Sequence, residues 1–166
     1  MSLIVEDGTG LSTAESFISV ADADTRHTNM GNTNWAALTT DEKEQALRRG
    51  TQYMEQAYRT RWLGTRTHED QALSWPRVIM QAVDGWWIDS DEVPSIVANA
   101  CADMALKAAA GDLNADLTRG VVREKVGPLE TEYDRASPQS TRYRAVDMML
   151  AHLLGGGSAN ARLIRA

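Results

Sequence analysis

Arginines and aromatic residues alternate in one part of the chain, and these residue types together can bind a nucleic-acid strand. The residues concerned are Arg48, Arg49, Arg59, Arg61, Arg66 and Arg77, with Tyr53, Tyr58, Trp62 and Trp75 between them. Guanidinium groups attract phosphates, and aromatic rings stack on unpaired bases. Arg48, Arg49 and Arg59 are therefore candidate contacts to single-stranded DNA. The alternative is that the rings belong to the core and the arginines are solvated, which the net charge of −6 favours.

The other reactive side chains lack the spacing of a catalytic or metal site. His27, His68 and His152 are far apart, and none has a second ligand one helical turn away. Cys101 lies in an apolar helical run, where a buried thiol is the usual state, and as the only cysteine it excludes an internal disulfide. Residues 8–10, Gly-Thr-Gly, lack the lysine of a phosphate-binding loop. We therefore expect no metal, no cofactor and no enzymatic activity.

Length and charge distribution set the broad class. A chain of 166 residues is sufficient for one domain with its own core, and no apolar run reaches the roughly 18 residues of a membrane span. Residues 1–42 and 78–116 each carry seven acidic residues and one basic residue. In contrast, residues 43–77 carry seven basic and four acidic residues, and residues 117–166 carry eight and five. These blocks suit head-to-tail contact between copies, although ordinary surface variation is an equal alternative.

Capping residues and apolar spacing predict a mainly helical protein. The predicted helices span residues 20–30, 39–58, 90–110 and 142–154. Ser19 is suited to cap the first helix, and Thr39 with Glu42 has the spacing of a capping box. Ser90 is the predicted start of the third helix, with Pro94 in its first turn. The third helix is rich in alanine and should be central.

The C-terminal third changes its pattern. Alternating apolar residues over 121–133 predict a β-hairpin. The glycines from Gly155 onward predict a hinge, so that residues 1–154 form one domain and residues 155–166 a docking tail. The alternative for the tail is a frayed terminus. The predicted fold is a small bundle of about four helices with one late hairpin and an extended C-terminal tail.

The segment Trp75-Pro76-Arg77 is a corner between the second and third helices. Proline keeps the preceding residue out of the helical region, so Trp75 should be extended and plug an edge of the core. Arg77 is then a candidate for an ion pair between subunits. Trp86 and Trp87 follow in a polar loop.

Several segments resemble a family of tailed-phage proteins labelled DnaT-like single-stranded-DNA-binding proteins. The matching segments are residues 3–10, 14–23, 35–38, 72–77, 126–129 and 153–156. The order of the elements is also similar to that of head–tail connector (adaptor) proteins of long-tailed phages. Connectors of that kind form rings of about twelve subunits beneath the portal, and a closed ring needs two different faces on each subunit.

The connector resemblance implies a structural protein of the virion neck, present in the host cytoplasm during assembly. Its implied partners are copies of itself, the portal protein, a tail or stopper protein, and DNA that passes through the channel without sequence recognition; no membrane is implied. The predicted portal-docking residues are Arg162, Leu163, Ile164 and Arg165, and the predicted channel-facing or intersubunit residues of the hairpin are Glu124, Lys125, Glu130 and Glu132. The alternative is a replication accessory protein that binds single-stranded DNA. A small regulatory interaction domain is a weaker third possibility.

Overall fold

The computed structural model describes residues 2–82, 84–115, 121–126, 129–133 and 141–155. Within them lie the helices α1 (Val20–Asn29), α2 (Thr33–Ala36), α3 (Thr40–Tyr58), α4 (Ser95–Ala110) and α5 (Arg144–Leu150). The strands are β1 (Thr65–Arg66), β2 (Arg77–Val78), β3 (Val121–Val126) and β4 (Leu129–Tyr133). The predicted class, mainly helical with one late hairpin, is confirmed. The one-turn helix α2 and the short β1–β2 pair were not predicted.

The predicted helix caps at α1 and α3 are confirmed. The Ser19 hydroxyl accepts a hydrogen bond from the Asp22 backbone N–H at 3.1 Å. Thr39 and Glu42 form the reciprocal capping box, in which the Thr39 N–H donates to the Glu42 carboxylate at 2.8 Å. Both caps depend on residues within one turn, which explains why the sequence pattern identified them.

Helices α3 and α4 pack against each other and form the centre of the core. The buried residues of α4 are Val97, Ala100, Cys101, Ala102, Met104, Ala105 and Ala108. Gly50 of α3 lies so close to α4 that a β-carbon there would stand 2.8 Å from the backbone nitrogen of Ala105. The alanines of α4 and this glycine therefore set the distance between the two helices.

Helix α4 begins later than predicted. It starts at Ser95, and Pro94 is its N-cap residue, with its carbonyl accepting from the Val97 and Ala98 N–H groups. The preceding segment is held elsewhere: the Ser90 carbonyl accepts from the Thr67 hydroxyl at 3.0 Å. The prediction of a start at Ser90 was wrong because residues 90–92 form a turn and a bend instead of a helix, and Pro94 keeps Val93 out of the helical region.

Helix α5 ends earlier than predicted. It covers Arg144–Leu150, and the chain then turns so that Leu154 forms an isolated bridge with Trp62. The Leu153 carbonyl accepts from the Leu63 N–H at 3.0 Å. Pairing with the segment after α3 therefore replaces the last turns of the predicted helix.

The hairpin prediction is confirmed at the level of the backbone. Strands β3 and β4 pair antiparallel, with Val126 opposite Leu129 and Val121 opposite Tyr133. The register changes between Val121 and Arg123, as at a β-bulge.

The Trp75-Pro76-Arg77 corner is an internal structure. Trp75 is fully buried, its peptide bond to Pro76 is cis, and its ring packs edge-on against Trp62 with centroids 5.7 Å apart. The neighbouring Ser74 donates from both its N–H and its hydroxyl to the Glu55 carboxylate of α3, at 2.7 and 2.8 Å. The corner is thus attached to α3, as the predicted plugging role of Trp75 requires.

Arg77 does not form the ion pair between subunits that the sequence suggested. It is 7% exposed, and its guanidinium group donates hydrogen bonds to backbone carbonyls of the segment that follows α3 and of Ser74. The acceptors and distances are Leu63 at 2.6 Å, Gly64 at 2.7 Å, Ser74 at 3.0 Å and Trp62 at 3.5 Å. Burial lowers the pKa of Arg77, with Arg66 as a second cause. The prediction was wrong because most of these acceptors come from a segment more than ten residues away, which no local pattern reveals.

Replacing Gly50 by alanine should destabilise the protein although alanine is the better helix former. The helical preference gains at most about 1 kcal/mol, whereas forcing a methyl group against the α4 backbone costs about 1–3 kcal/mol. Urea unfolding of Gly50→Ala measures the balance. Gly111→Ala is the control, because a β-carbon there meets nothing within 4 Å. Equal stability of both variants would contradict the close approach of α3 and α4.

Replacing Arg77 by methionine should lower the free energy of unfolding by about 2–4 kcal/mol, because several buried carbonyls lose their donor. Methionine keeps most of the apolar stem, so the loss reports on the guanidinium group. The matched control is Arg59→Met, since Arg59 is exposed and such changes usually stay within about 0.5 kcal/mol. An unchanged unfolding midpoint for Arg77→Met would contradict the stabilising role of the buried guanidinium group.

Candidate interaction surfaces

The three arginines predicted to contact DNA lie on α3 or at its end, but their surroundings differ. Arg48 donates to the Glu15 carboxylate from Nε and Nη2, both at 3.0 Å, and its Nη1 is 3.4 Å from Glu44. The Arg48 hydrogen bond lowers the pKa of Glu15, and the same bond raises the pKa of Arg48. The positive charge of Arg48 is therefore matched by two acids of its own chain.

Arg59 is exposed, and its Nη1 lies 3.8 Å from the carboxylate of Glu55. The same Glu55 accepts from Ser74 and so belongs to the corner described above. Arg49 is exposed, and no salt bridge of Arg49 occurs within the described part of the chain. The structure thus leaves Arg49 as the predicted arginine with the least local compensation.

Arg49 borders a polar groove that runs between α3, the segment after α4 and the start of α5. The groove consists of two adjoining depressions of about 420 and 280 Å³ that share Tyr53, Gln56 and Asn114. Its side chains with hydrogen-bonding or charged groups include Arg49, Gln52, Tyr53, Gln56, Arg61, Asp112, Asn114, Arg142 and Asp147. We call this surface the arginine groove.

Aromatic rings and arginines are combined in the arginine groove. Tyr53 is half-buried and packs edge-on against Tyr143 at 5.3 Å between centroids. The Arg61 guanidinium lies 5.7 Å from the centroid of Tyr58. The Tyr58 hydroxyl donates to Asp147 at 2.8 Å, and burial raises the pKa of Tyr58, so the hydroxyl keeps its proton. Beside two carboxylates, the groove presents cations, amides and an aromatic edge, which are groups that can contact phosphates and bases.

The sequence identified only part of this groove. Arg49 was among the predicted contacts, whereas Arg142 lies far away in sequence and reaches the groove just before α5. Arg61 and Tyr53 were noted in the alternating pattern but were not assigned to a site. Arg48 and Arg59 do not line the groove.

A second surface is apolar and was not assigned any role from the sequence. Ile79, Trp86 and Trp87 are 74, 78 and 66% exposed. We call residues 79–82 and 84–88 the tryptophan loop. Hydrogen bonds close this loop at both ends of the tryptophan pair: the Ala82 N–H donates to the Trp86 carbonyl at 2.8 Å, and the Ile88 N–H to the Met80 carbonyl at 2.9 Å. The signal in the sequence was the pair of adjacent tryptophans in an otherwise polar segment.

The electrostatic surroundings of the tryptophan loop are acidic. Asp84 and Asp89 flank the tryptophan pair, and both are exposed. Neither forms a salt bridge within the described ranges. The carboxylates of Asp84 and Asp89 would repel a phosphate backbone. Together with the exposed indoles between them, they suit a partner with apolar and basic groups.

The hairpin and tail residues named from the sequence stay predictions. In the backbone register, Lys125 stands opposite Glu130, Arg123 opposite Glu132, and Glu124 opposite Thr131. Residues of opposite charge therefore occupy two of these paired positions. The tail residues Arg162, Leu163, Ile164 and Arg165 lie outside the described residues.

The buried titratable groups have packing partners that account for them. His27 Nε2 is 3.1 Å from the Ala102 carbonyl, its ring packs on Trp35, and burial lowers its pKa. The Cys101 sulfur is 3.1 Å from the Thr51 hydroxyl, and burial raises the pKa of this thiol. Across the described part of the chain, no three His, Cys, Asp or Glu side chains stand close enough to hold a metal ion. None of the helices in these ranges is both long and apolar enough to cross a bilayer.

Comparison with known proteins confirms the DnaT-like resemblance. A family model described as "Putative DnaT-like ssDNA binding protein" matches residues 1–166. Searches of curated proteins and of solved structures gave no significant match. The likeness to head–tail connectors therefore stays a prediction. Because the match covers the whole sequence, the chain belongs to this DnaT-like family.

Proposed function

We propose that the protein is a structural assembly subunit, namely a head–tail connector (adaptor) of a tailed phage, rather than an enzyme. The observation that carries the proposal is the tryptophan loop, whose two indoles are mostly exposed on a segment closed by backbone hydrogen bonds. Tryptophan is enriched at the centres of protein interfaces, and adjacent exposed indoles commonly indicate a binding surface. The proposed place of action is the virion neck, reached from the host cytoplasm during assembly.

The charge distribution supports assembly through unlike surfaces. The tryptophan loop lies in an acidic block, and the C-terminal block that includes α5 is basic. A subunit that joins others head to tail needs two complementary faces of this kind. The proposed partners are further copies of the chain in a ring, the portal protein and a tail or stopper protein, with DNA passing through the ring without sequence recognition.

The adaptor proposal is tested by binding to the portal protein encoded in the same phage genome. The full chain should co-sediment with portal rings, and a variant that lacks residues 158–166 should not, because the tail is the proposed portal-docking segment. The truncated chain retains every described residue, so its thermal unfolding midpoint should stay unchanged and serve as the folding control.

The possible outcomes separate two claims. Undiminished portal binding by the folded truncated chain would overturn the docking role of Arg162–Arg165. Failure of the full chain to bind portal rings, together with its absence from purified virions, would overturn the adaptor function itself.

A second candidate function, binding of single-stranded DNA, is favoured by the arginine groove. Arg49, Arg61 and Arg142 line it together with Tyr53, and the family to which the chain belongs is described by this activity. Opposing it are Asp112 and Asp147 in the groove and the net charge of −6. The groove is the place where the described residues combine exposed arginines with an aromatic ring.

The DNA candidate is tested by titrating a fluorescent oligothymidine at several salt concentrations. Arg49→Glu combined with Arg142→Glu should abolish binding at moderate salt. The neutral pair Arg49→Ala and Arg142→Ala should reduce the slope of log affinity against log salt by about 1.4, because each phosphate contact contributes about 0.7 for single strands. Arg59→Glu is the matched control, since Arg59 lies at the end of the same helix but outside the groove. Absence of binding by the unaltered chain at low salt would exclude this function, and an equal loss in Arg59→Glu would exclude the groove as its site.

A further inference from the structure

We infer that the tryptophan loop of one copy docks into an apolar cleft between α4 and α5 of a second copy. The inference rests on the proposed assembly function and specifies which two faces meet. The cleft has a volume of about 410 Å³ and is lined mainly by apolar groups of Met30, Leu106, Tyr143 and Val146. Within one chain the loop does not fill this cleft, because Trp86 and Trp87 are mostly exposed.

The size of the cleft fits an aromatic side chain. Pockets of about 300–1,000 Å³ accept groups as large as small ligands, so 410 Å³ accommodates an indole. Met30 is 64% exposed at the rim, and methionine adapts its shape to an inserted ring and contacts aromatic groups favourably through its sulfur. The cleft therefore offers the kind of apolar, deformable walls that exposed tryptophans require.

The charges around the two surfaces are complementary. Lys107 and Arg144 are exposed at the cleft. Asp103 is the acidic residue that lines the cleft, and it already forms a salt bridge with Arg26. The Nε and Nη2 atoms of Arg26 lie 3.0 and 2.8 Å from the two carboxylate oxygens of Asp103. The uncompensated charges at the cleft are thus positive, whereas Asp84 and Asp89 beside the tryptophans are negative. Docking places the acids of the loop near the bases of the cleft.

The tryptophan loop of a second copy matches both the apolar lining and the positive charges of the cleft. Loop and cleft are different surfaces of the same chain, so their contact is heterologous and can repeat from copy to copy until a ring closes. Two tryptophans bury about 300–500 Å², which is less than the roughly 800 Å² per partner of a stable interface. The contact alone is therefore weak, and it becomes significant at high local concentration, as in an assembling ring.

The contact is tested by cross-linking full-length chains through introduced cysteines. Gln81→Cys marks the loop and Ala145→Cys marks the cleft; both positions are exposed. The native Cys101 is buried and does not compete for the reagent. A concentrated mixture of the two variants, treated with a short bismaleimide, should yield a covalent dimer. Ser12→Cys in place of Ala145→Cys is the matched control, because Ser12 is exposed and does not line the cleft.

The dimer should exceed the control by about tenfold, and Trp86→Ala with Trp87→Ala in the Gln81→Cys chain should remove the excess. High salt should lower the yield because the complementary charges are screened. Equal yields with the cleft and control cysteines, or a yield that is insensitive to loss of the tryptophans, would overturn the docking. Such a failure leaves portal binding by the full chain intact if the adaptor function is correct, so the two proposals are judged separately.

Discussion

The guanidinium group of Arg77 is the interaction on which the corner between α3 and α4 depends. Its hydrogen bonds to the carbonyls of residues 62–64 and of Ser74 satisfy backbone acceptors of the segment after α3 and of the residue before the buried Trp75. A buried cation is costly unless it is fully hydrogen-bonded, and here the donors meet acceptors in several directions. The segment that it holds also pairs with the end of the described chain, through the Leu63 N–H and the Leu153 carbonyl. Arg77 thus joins the exit of α3 to the corner, and the exit of α3 in turn pairs with the segment after α5.

Because Arg77 is buried, the arginine-rich region contributes less positive charge to the surface than its sequence suggests. The sequence between α3 and the corner suggests a basic surface, but Arg77 is internal and Arg48 is matched by Glu15 and Glu44. Positive charge that is compensated within the chain contributes little to attraction of a polyanion. The density of arginines along a sequence therefore overstates the basic surface of the folded protein. Of the exposed arginines of the groove, Arg49 belongs to this region, whereas Arg142 comes from the distant segment before α5.

Local sequence patterns correctly predicted features that depend on residues within one helical turn. They failed for features that depend on contacts between segments distant in sequence. The capping box of Thr39 and Glu42 lies within one helical turn, so the sequence identified the start of α3 correctly. The same reasoning misplaced the start of α4 at Ser90, because that residue lies in a turn and its carbonyl accepts from the distant Thr67 hydroxyl. The sequence showed Trp86 and Trp87 as an adjacent pair in a polar segment, but their exposure was not predicted, since tryptophan is usually largely buried. Trp75, whose burial was predicted from the proline that follows it, differs from the exposed pair in both its local and its tertiary surroundings.

The tryptophan pair contributes little to the fold that presents it. The loop is closed by backbone hydrogen bonds between Ala82 and Trp86 and between Ile88 and Met80, which do not require indole side chains. Apolar surface left in water gains nothing from folding, and about 25 cal/mol per Å² is recovered only when it is buried. A base-stacking role would need cations nearby to hold the phosphates, whereas Asp84 and Asp89 flank the pair. The physical properties of this loop therefore favour a protein partner over a nucleic acid.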